Sequence, residues 1–186
     1  MVVGGITLQY GKRVLFENVN ISFAPGNCYG IIGANGSGKS TFLKILCGDL
    51  DSTAGTVSVP ENSRISILKQ DQFAFDEYSP LATVIMGHKK LYEVMTRKDE
   101  IYVKTDFSEA DGLEASDLEG QFTEMGGWEA ESEAAKLLSD LGVQEELQNI
   151  PMKQLKSSQK VRVLLAQALF GNPDFLLLDE PTNQLD

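Results

Sequence analysis

Near the start of the chain, apolar and polar residues alternate with a period of two. Ile6 and Leu8 fall on one face, Thr7 and Gln9 on the other. Such alternation predicts a half-buried strand. Tyr10-Gly11-Lys12 reads as a turn, and the runs 14–16 and 19–23 as further short strands of a small antiparallel sheet. Pro25-Gly26-Asn27 turns the chain again. The run 28–32 is mostly apolar and ends at a glycine. That is the pattern of a strand covered on both faces, as in a parallel sheet.

The period then changes. Residues 41–47 carry apolar positions at helical spacing (Phe42, Ile45, Leu46) and stop at Gly48. Val57 and Val59, then Ile65 and Ile67, alternate as strands. From 81 to 147 the pattern is helical and polar, broken near 105–111 and at Gly126-Gly127. Residues 160–170 form an apolar helix ended by Gly171-Asn172-Pro173, and 175–178 form a second buried strand that runs into Asp179-Glu180. The order of elements predicts an α/β fold: an antiparallel β subdomain, a parallel-sheet core and an inserted helical subdomain.

Composition narrows the class. With 186 residues and 42% hydrophobic content the chain can bury one core, with room for a small subdomain. The formal net charge of −11 argues against bulk electrostatic binding to nucleic acid or to an anionic membrane. The charge is concentrated: between residues 92 and 133 there are thirteen acids and three bases, Arg97, Lys98 and Lys104. Cys28 and Cys47 lack CxxC spacing and read as small buried side chains in a reducing compartment. The lone His88 has no metal-ligand or catalytic partner pattern. No run is apolar for the ~20 residues a membrane span needs, and the N-terminus shows no signal peptide. These features point to a cytoplasmic protein that does not enter a membrane.

The chemistry is concentrated at Gly33, Ala34, Asn35, Gly36, Ser37, Gly38, Lys39 and Ser40, which match G-x-x-x-x-G-K-[ST] in full. Glycines let backbone N–H groups wrap a phosphate closely, and the helix that follows points its positive end at the same anion. Lys39 would reach the β- and γ-phosphates of ATP, with Thr41 completing the loop, and the Ser40 hydroxyl would ligate Mg²⁺. The strand ending in Asp179-Glu180 fits the second half of such a site. Asp179 would hold Mg²⁺ through water, and Glu180 would act as the general base on the attacking water.

The run Leu178-Asp179-Glu180-Pro181-Thr182-Asn183-Gln184-Leu185-Asp186 resembles the Walker B motif and D-loop of ATP-binding cassette proteins. The Glu-Pro-Thr-Asn wording is similar to the ABC-F subfamily, soluble proteins with two cassettes in one chain that mostly act on the ribosome as translation factors, including antibiotic-resistance members. The resemblance implies roles for further residues. Gln70 resembles the Q-loop glutamine that contacts Mg²⁺ and the attacking water, with Gln72 as the nearby alternative. Tyr10 resembles the aromatic residue that stacks on adenine. Residues 124–131 resemble the stretch that follows the ABC-F arm, and Trp128 within it reads as a packing anchor, with a ribosome contact as the alternative. The 85 positions from Gln70 to Leu155 exceed what transporter cassettes use, and the excess would be the arm, a helical hairpin at about 91–126. The implied division is 1–80 for the first part of the nucleotide-binding domain, 81–150 for the helical subdomain with the arm, and 151–186 for the signature helix, Walker B and D-loop. A second cassette, and the ribosome with its rRNA and tRNA reached through the arm, are the implied partners.

The chain departs from the family at the signature motif. Where the family reads Leu-Ser-Gly-Gly-Gln, this sequence has Leu155-Lys156-Ser157-Ser158-Gln159. In the family this segment grips the γ-phosphate of ATP held by the opposite cassette. Lys156 would replace a short hydroxyl donor by a longer, mobile point charge, and Ser157-Ser158 also reads as a plain helix cap. The family's switch histidine does not occur before residue 186. Its strand lies between the Walker A and Walker B strands, and unpaired buried backbone groups cost ~1–3 kcal/mol each. The expectation is therefore a fragment or truncated product with an incomplete parallel sheet, partly unfolded by itself and with negligible turnover. Two other readings stand beside the ABC-F one: an ATP-binding subunit of a membrane transporter, and an inactive relic.

Overall fold

The computed structural model describes residues 1–61, 63–68 and 71–179. They form two compact units. One contains Met1–Ile67 together with 173–179, and the other contains Leu68–Asn172.

In the first unit, β1 (Val2–Tyr10) pairs antiparallel with β2 (Arg13–Ser22) on one side and with β3 (Ala54–Ser58) on the other. Val3, Ile6 and Leu8 are all buried. Val3 and Ile6 are an odd number of positions apart and would face opposite sides of a regular strand. The irregular register between them corrects this. Gly5 takes φ +62° there, a left-handed geometry open to glycine, and its N–H donates to Asn20 Oδ1 at 2.8 Å. Opposite it, Asn18 adopts φ +49° and gives its N–H to Thr7 Oγ1 at 3.0 Å. This bulge lets residues 13–22 run as one strand where the pattern predicted two.

Helix α1 (Lys39–Leu46) lays Phe42, Leu43, Ile45 and Leu46 against Val3, Ile6 and Leu8. Phe16 meets Phe42 edge to face, with ring centroids 5.7 Å apart. The spacing of Phe42, Ile45 and Leu46 is the helical pattern that the sequence showed, and Leu43 joins them in the core. A second sheet consists of β4 (Ile65–Ile67) and β5 (Phe175–Leu177), paired in parallel with Ile65 opposite Phe175. Asp174 Oδ2 accepts from the Arg64 N–H at 2.8 Å, and Arg64 O accepts from the Phe175 N–H at 3.1 Å, so the ladder is fixed at its start.

The run 28–32 corrects an expectation. It forms no strand, and Ile31 and Ile32 are exposed, Ile32 to 97%. Apolar content favours burial, but a strand exists only when another strand takes its hydrogen bonds. Among the described residues, β4 and β5 pair with each other and none pairs with 28–32. The parallel core is the two-stranded piece β4–β5. Cys28 is accordingly exposed and Cys47 half-buried, contrary to their reading as buried side chains.

The second unit is helical: α2 (Pro80–Ile85), α3 (Lys89–Tyr102), α4 (Glu109–Glu124), α5 (Ala130–Asp140) and α6 (Ser157–Leu169). Their ends are set locally. The Ser79 hydroxyl caps α2 with Pro80 at its first position, and His88 Nδ1 caps α3 by accepting from the Leu91 N–H at 3.2 Å. Helix α4 opens with a capping box between Ser108 and Asp111. Val84, Leu91, Leu138, Met152 and Val163 lie in the common core. Gln148, also buried, donates from Nε2 to Ala135 O, Ser139 Oγ and Val143 O and so satisfies the turn after α5.

Helices α3 and α4 form a hairpin in which Arg97, Lys98 and Lys104, the three bases of the acidic stretch 92–133, each meet an acid of the same hairpin. Arg97 holds Glu114 and Glu100, Lys98 holds Glu119 at 2.9 Å, and Lys104 holds Asp111. Lys98 also lies over the rings of Phe122 (4.0 Å) and Trp128 (4.9 Å). The Trp128 indole N–H donates to Thr123 Oγ1 at 3.1 Å, and its ring meets Phe122 edge to face. Trp128 is thus tied down although its surface remains exposed.

The tip of the hairpin has a pH-dependent tie. Hydrogen bonds from Lys104 and then from Ser108 hold Asp111 well below the ordinary carboxylate range. A carboxylate with a depressed folded-state pKa stabilises fully above its unfolded value of about 3.9, and that contribution is lost as pH falls through the folded value. Amide protection factors at residues 104–112, that is, exchange corrected for its intrinsic pH dependence, are expected to be flat from neutral pH to pH ~5 and to fall only in stronger acid. Loosening that begins near neutral pH would contradict this.

Candidate nucleotide site

The Walker A residues occupy the turn into α1. Gly38 takes φ +99°, and a Cβ there would lie 2.8 Å from the Leu15 side chain, so both conformation and space demand glycine. The Ser37 N–H donates to Ala34 O at 3.1 Å and the Phe42 N–H to Gly38 O at 2.8 Å, which closes the loop and starts the helix. A Cβ on Gly33 would come within 2.7 Å of Ser37 Oγ. Residues 33–37 are exposed, and the N-cap Gly38 has no side chain to occupy the first N–H groups of α1. A helix start left open in this way is suited to an anion.

Lys39 stands at the first position of α1. Its Nζ donates to Gly33 O at 3.0 Å and to Ala34 O at 3.2 Å. The ammonium therefore folds over the same loop whose backbone would surround a phosphate. Ser40 is exposed beside it and Thr41 half-buried. Tyr10 ends β1 with its ring largely exposed, opposite Arg13 in the β1–β2 ladder.

Asp179 lies two residues beyond the end of β5 and is half-buried, in the same unit as the Walker A loop. Gln70, Glu180 and the D-loop residues 181–186 lie outside the described residues. Leu155, Lys156, Ser157, Ser158 and Gln159 belong to the other unit. There α6 starts at Ser157, and its N-cap is Lys156, whose N–H donates to Gln159 Oε1 at 3.0 Å. Ser157 and Ser158 are therefore the first two residues of the helix and not its cap.

The donor set fits a nucleoside triphosphate: one ammonium, a hydroxyl at the helix start and open backbone N–H groups. Among the described residues there is no group of three or more His, Cys, Asp or Glu poised to hold a metal. A hard cation here would be held largely by phosphate oxygens, with one or two protein ligands.

A glycine-rich loop that leads into a helix, with a lysine on the first helical turn, defines the class as a P-loop nucleotide-binding domain. The chain belongs to the ABC transporter family, which it matches over residues 16–183, and it is an ATP-binding cassette. It is 58% identical over its whole length to the ABC transporter ATP-binding protein YkpA of Bacillus subtilis, covering 34% of that protein. It is 54% identical to the probable ATP-binding protein YbiT of Escherichia coli O157:H7, covering 35% of it. With ATP-binding cassette sub-family F member 3 of Homo sapiens it shares 33% identity over 183 residues, 96% of this chain and 25% of that one. The chain thus spans about a third of the length of the first two relatives, and the likeness to the sub-family F protein bears out the ABC-F resemblance. The fold agrees with the dimeric bacterial ABC transporter cassette MJ0796 at a TM-score of 0.69, 22% identity and coverage of all of this chain and 75% of that one. A post-hydrolysis structure of the same cassette with ADP and Pi gives 0.68.

Sequence reasoning did not find Lys98, Lys160 or Asp76. The Lys160–Asp76 contact joins residues 84 positions apart, and no local pattern carries such a signal.

Proposed function

We propose that this chain is the Mg-ATP-binding front part of an ABC-F ATPase that acts on the ribosome. The observation that carries the nucleotide part is the Lys39 ammonium lying over the carbonyls of Gly33 and Ala34 at the open start of α1. In this reading the loop 33–41 holds the triphosphate and Tyr10 stacks on adenine. Ser40 and Asp179, with Gln70, are the residues that would hold Mg²⁺, which supplies charge neutralisation at the β- and γ-phosphates when bound. Glu180 takes the proton from the attacking water. A second cassette contributes its own signature to this site, and Leu155–Gln159 face the ATP of that partner.

The ABC-F branch is supported by the Glu-Pro-Thr-Asn wording, by the α3–α4 hairpin within about 91–126, and by the sub-family F relative. The hairpin is the proposed arm, within a helical subdomain at 81–150. Among the described residues no helix is long and apolar enough to cross a membrane. The acidic flanks of the hairpin disfavour broad contact with RNA, so contact would be restricted to part of the arm or to basic residues elsewhere in the protein.

The test uses the intact protein. Mg-ATP titration should show binding, and ribosomes should carry the protein into the pellet in an ATP-dependent way. Binding of ATP without ribosome co-sedimentation in any nucleotide state would keep the ATPase reading and remove the ribosomal one. Glu180→Gln should retain ATP binding and accumulate the closed cassette pair while turnover falls. Unchanged single-turnover hydrolysis would remove Glu180 from the base role.

A further inference from the structure

Lys160, the residue after the signature-like segment, is buried to 5% exposure. Its Nζ donates to Asp76 Oδ1, and Phe73 lies beneath it with its ring centroid 4.9 Å away. Taking an ammonium out of water is unfavourable unless a partner compensates, and an apolar side chain would fill the same space more readily. Its neighbours Val161, Val163 and Leu164 are buried in that way. A charge kept among them specifies a position, because it accepts one partner where an apolar contact accepts many.

The backbone around the pair follows the same path. The Met152 N–H donates to Tyr78 O at 2.8 Å and the Lys153 N–H to Asp76 O at 3.0 Å. Lys153 Nζ reaches Glu77 at 2.8 Å. The segment 73–78 is itself folded tightly, with the Asp76 N–H on Phe73 O and the Tyr78 N–H on Phe75 O. Residues 73–78 follow Gln70 closely in sequence, and the stretch 152–160 to which they are stitched contains Leu155–Gln159.

We propose that Lys160 is a positioning residue: its ion pair with Asp76 locks the signature-like segment to the strap 73–78, so that the two respond to nucleotide as one piece. The inference rests on the nucleotide-binding reading of the Walker A loop and adds to it the part that passes the response on.

Hydrogen exchange on the intact wild-type protein, with and without Mg-ATP, is the first test. Segments 73–78 and 155–160 should change protection together, and a change in one without the other overturns the proposal. No protection at 33–41 would instead defeat the nucleotide reading itself. The second test compares K160M with the apolar pair K160M/D76L, which keeps the site filled if the single variant folds poorly. The double variant should melt cooperatively and keep ATP affinity within about twofold, while turnover falls roughly tenfold and the joint protection change is lost. Wild-type turnover with the apolar pair in place would show that Lys160 serves packing only and would overturn the proposal.

Discussion

Lys39→Ala is expected to weaken Mg-ATP binding by roughly a hundredfold, since a hydrogen bond to a charged group contributes about 1.5–3 kcal/mol and each 1.4 kcal/mol is a factor of ten. The side chain is the ammonium at the open start of α1, and its two hydrogen bonds go to loop carbonyls at Gly33 and Ala34. Those carbonyls lie in an exposed stretch, so water replaces the lost donor and little stability goes with it. The core face of α1, built from Phe42, Leu43, Ile45 and Leu46, is untouched. The variant should therefore melt close to wild type while its titration with Mg-ATP becomes nearly flat. Wild-type affinity in Lys39→Ala would contradict the site assignment. A large fall in melting temperature would show that the lysine is structural.

The difference between binding and folding at Lys39 mirrors what the sequence does and does not disclose. The Walker A loop was legible because everything it needs is local: glycines for a tight turn, a lysine on the next turn, and a helix with apolar residues at the right spacing. The break at Gly126-Gly127 was legible for the same reason, while the caps at Ser79 and at Ser108 with Asp111, although equally local, emerged only with the structure. The helical hairpin showed itself by its break near 105–111, and the structure places the turn just before α4.

What depended on distant partners was not legible. The run 28–32 has the composition of a buried strand, but its structure is decided by what lies beside it, and Ile32 is almost fully exposed. Its Tyr29 is tied locally: the hydroxyl accepts from the Ala24 N–H at 2.9 Å and the ring meets Phe23. The acidic stretch 92–133 read only as a concentration of negative charge. In the structure its three bases pair with acids of the hairpin, Arg97 and Lys104 near the surface and Lys98 buried against the rings of Phe122 and Trp128. The helix called α6 starts at Ser157, earlier than its apolar residues alone suggested, because Gln159 turns back to the Lys156 N–H.

Gly87→Ala is expected to destabilise the helical unit by about 3 kcal/mol or more, at the upper end of what overpacking costs. Nothing in the local sequence marks this glycine: it lies between α2 and α3, and its φ is not left-handed. The constraint comes from α6. A Cβ on Gly87 would lie 2.0 Å from Gln167 O and 2.9 Å from the Gln167 carbonyl carbon, with Val84 O at 3.0 Å. Two of these atoms belong to the backbone of α6 and cannot swing aside as a side-chain end would. Relief requires α2 and α6 to separate, and their joint is also where buried Gln167 Nε2 donates to Thr83 O at 2.8 Å. Moving the helices apart strains that bond, and an unmet buried amide adds its own penalty of about 1–3 kcal/mol. The control is Gly120→Ala in the middle of α4, where a Cβ meets nothing within 4 Å. There the helix gains about 0.5–1 kcal/mol from the lower backbone freedom of alanine. Denaturant midpoints should thus move in opposite directions for the two substitutions. A Gly87→Ala protein as stable as wild type would mean that α2 and α6 do not approach as closely as described.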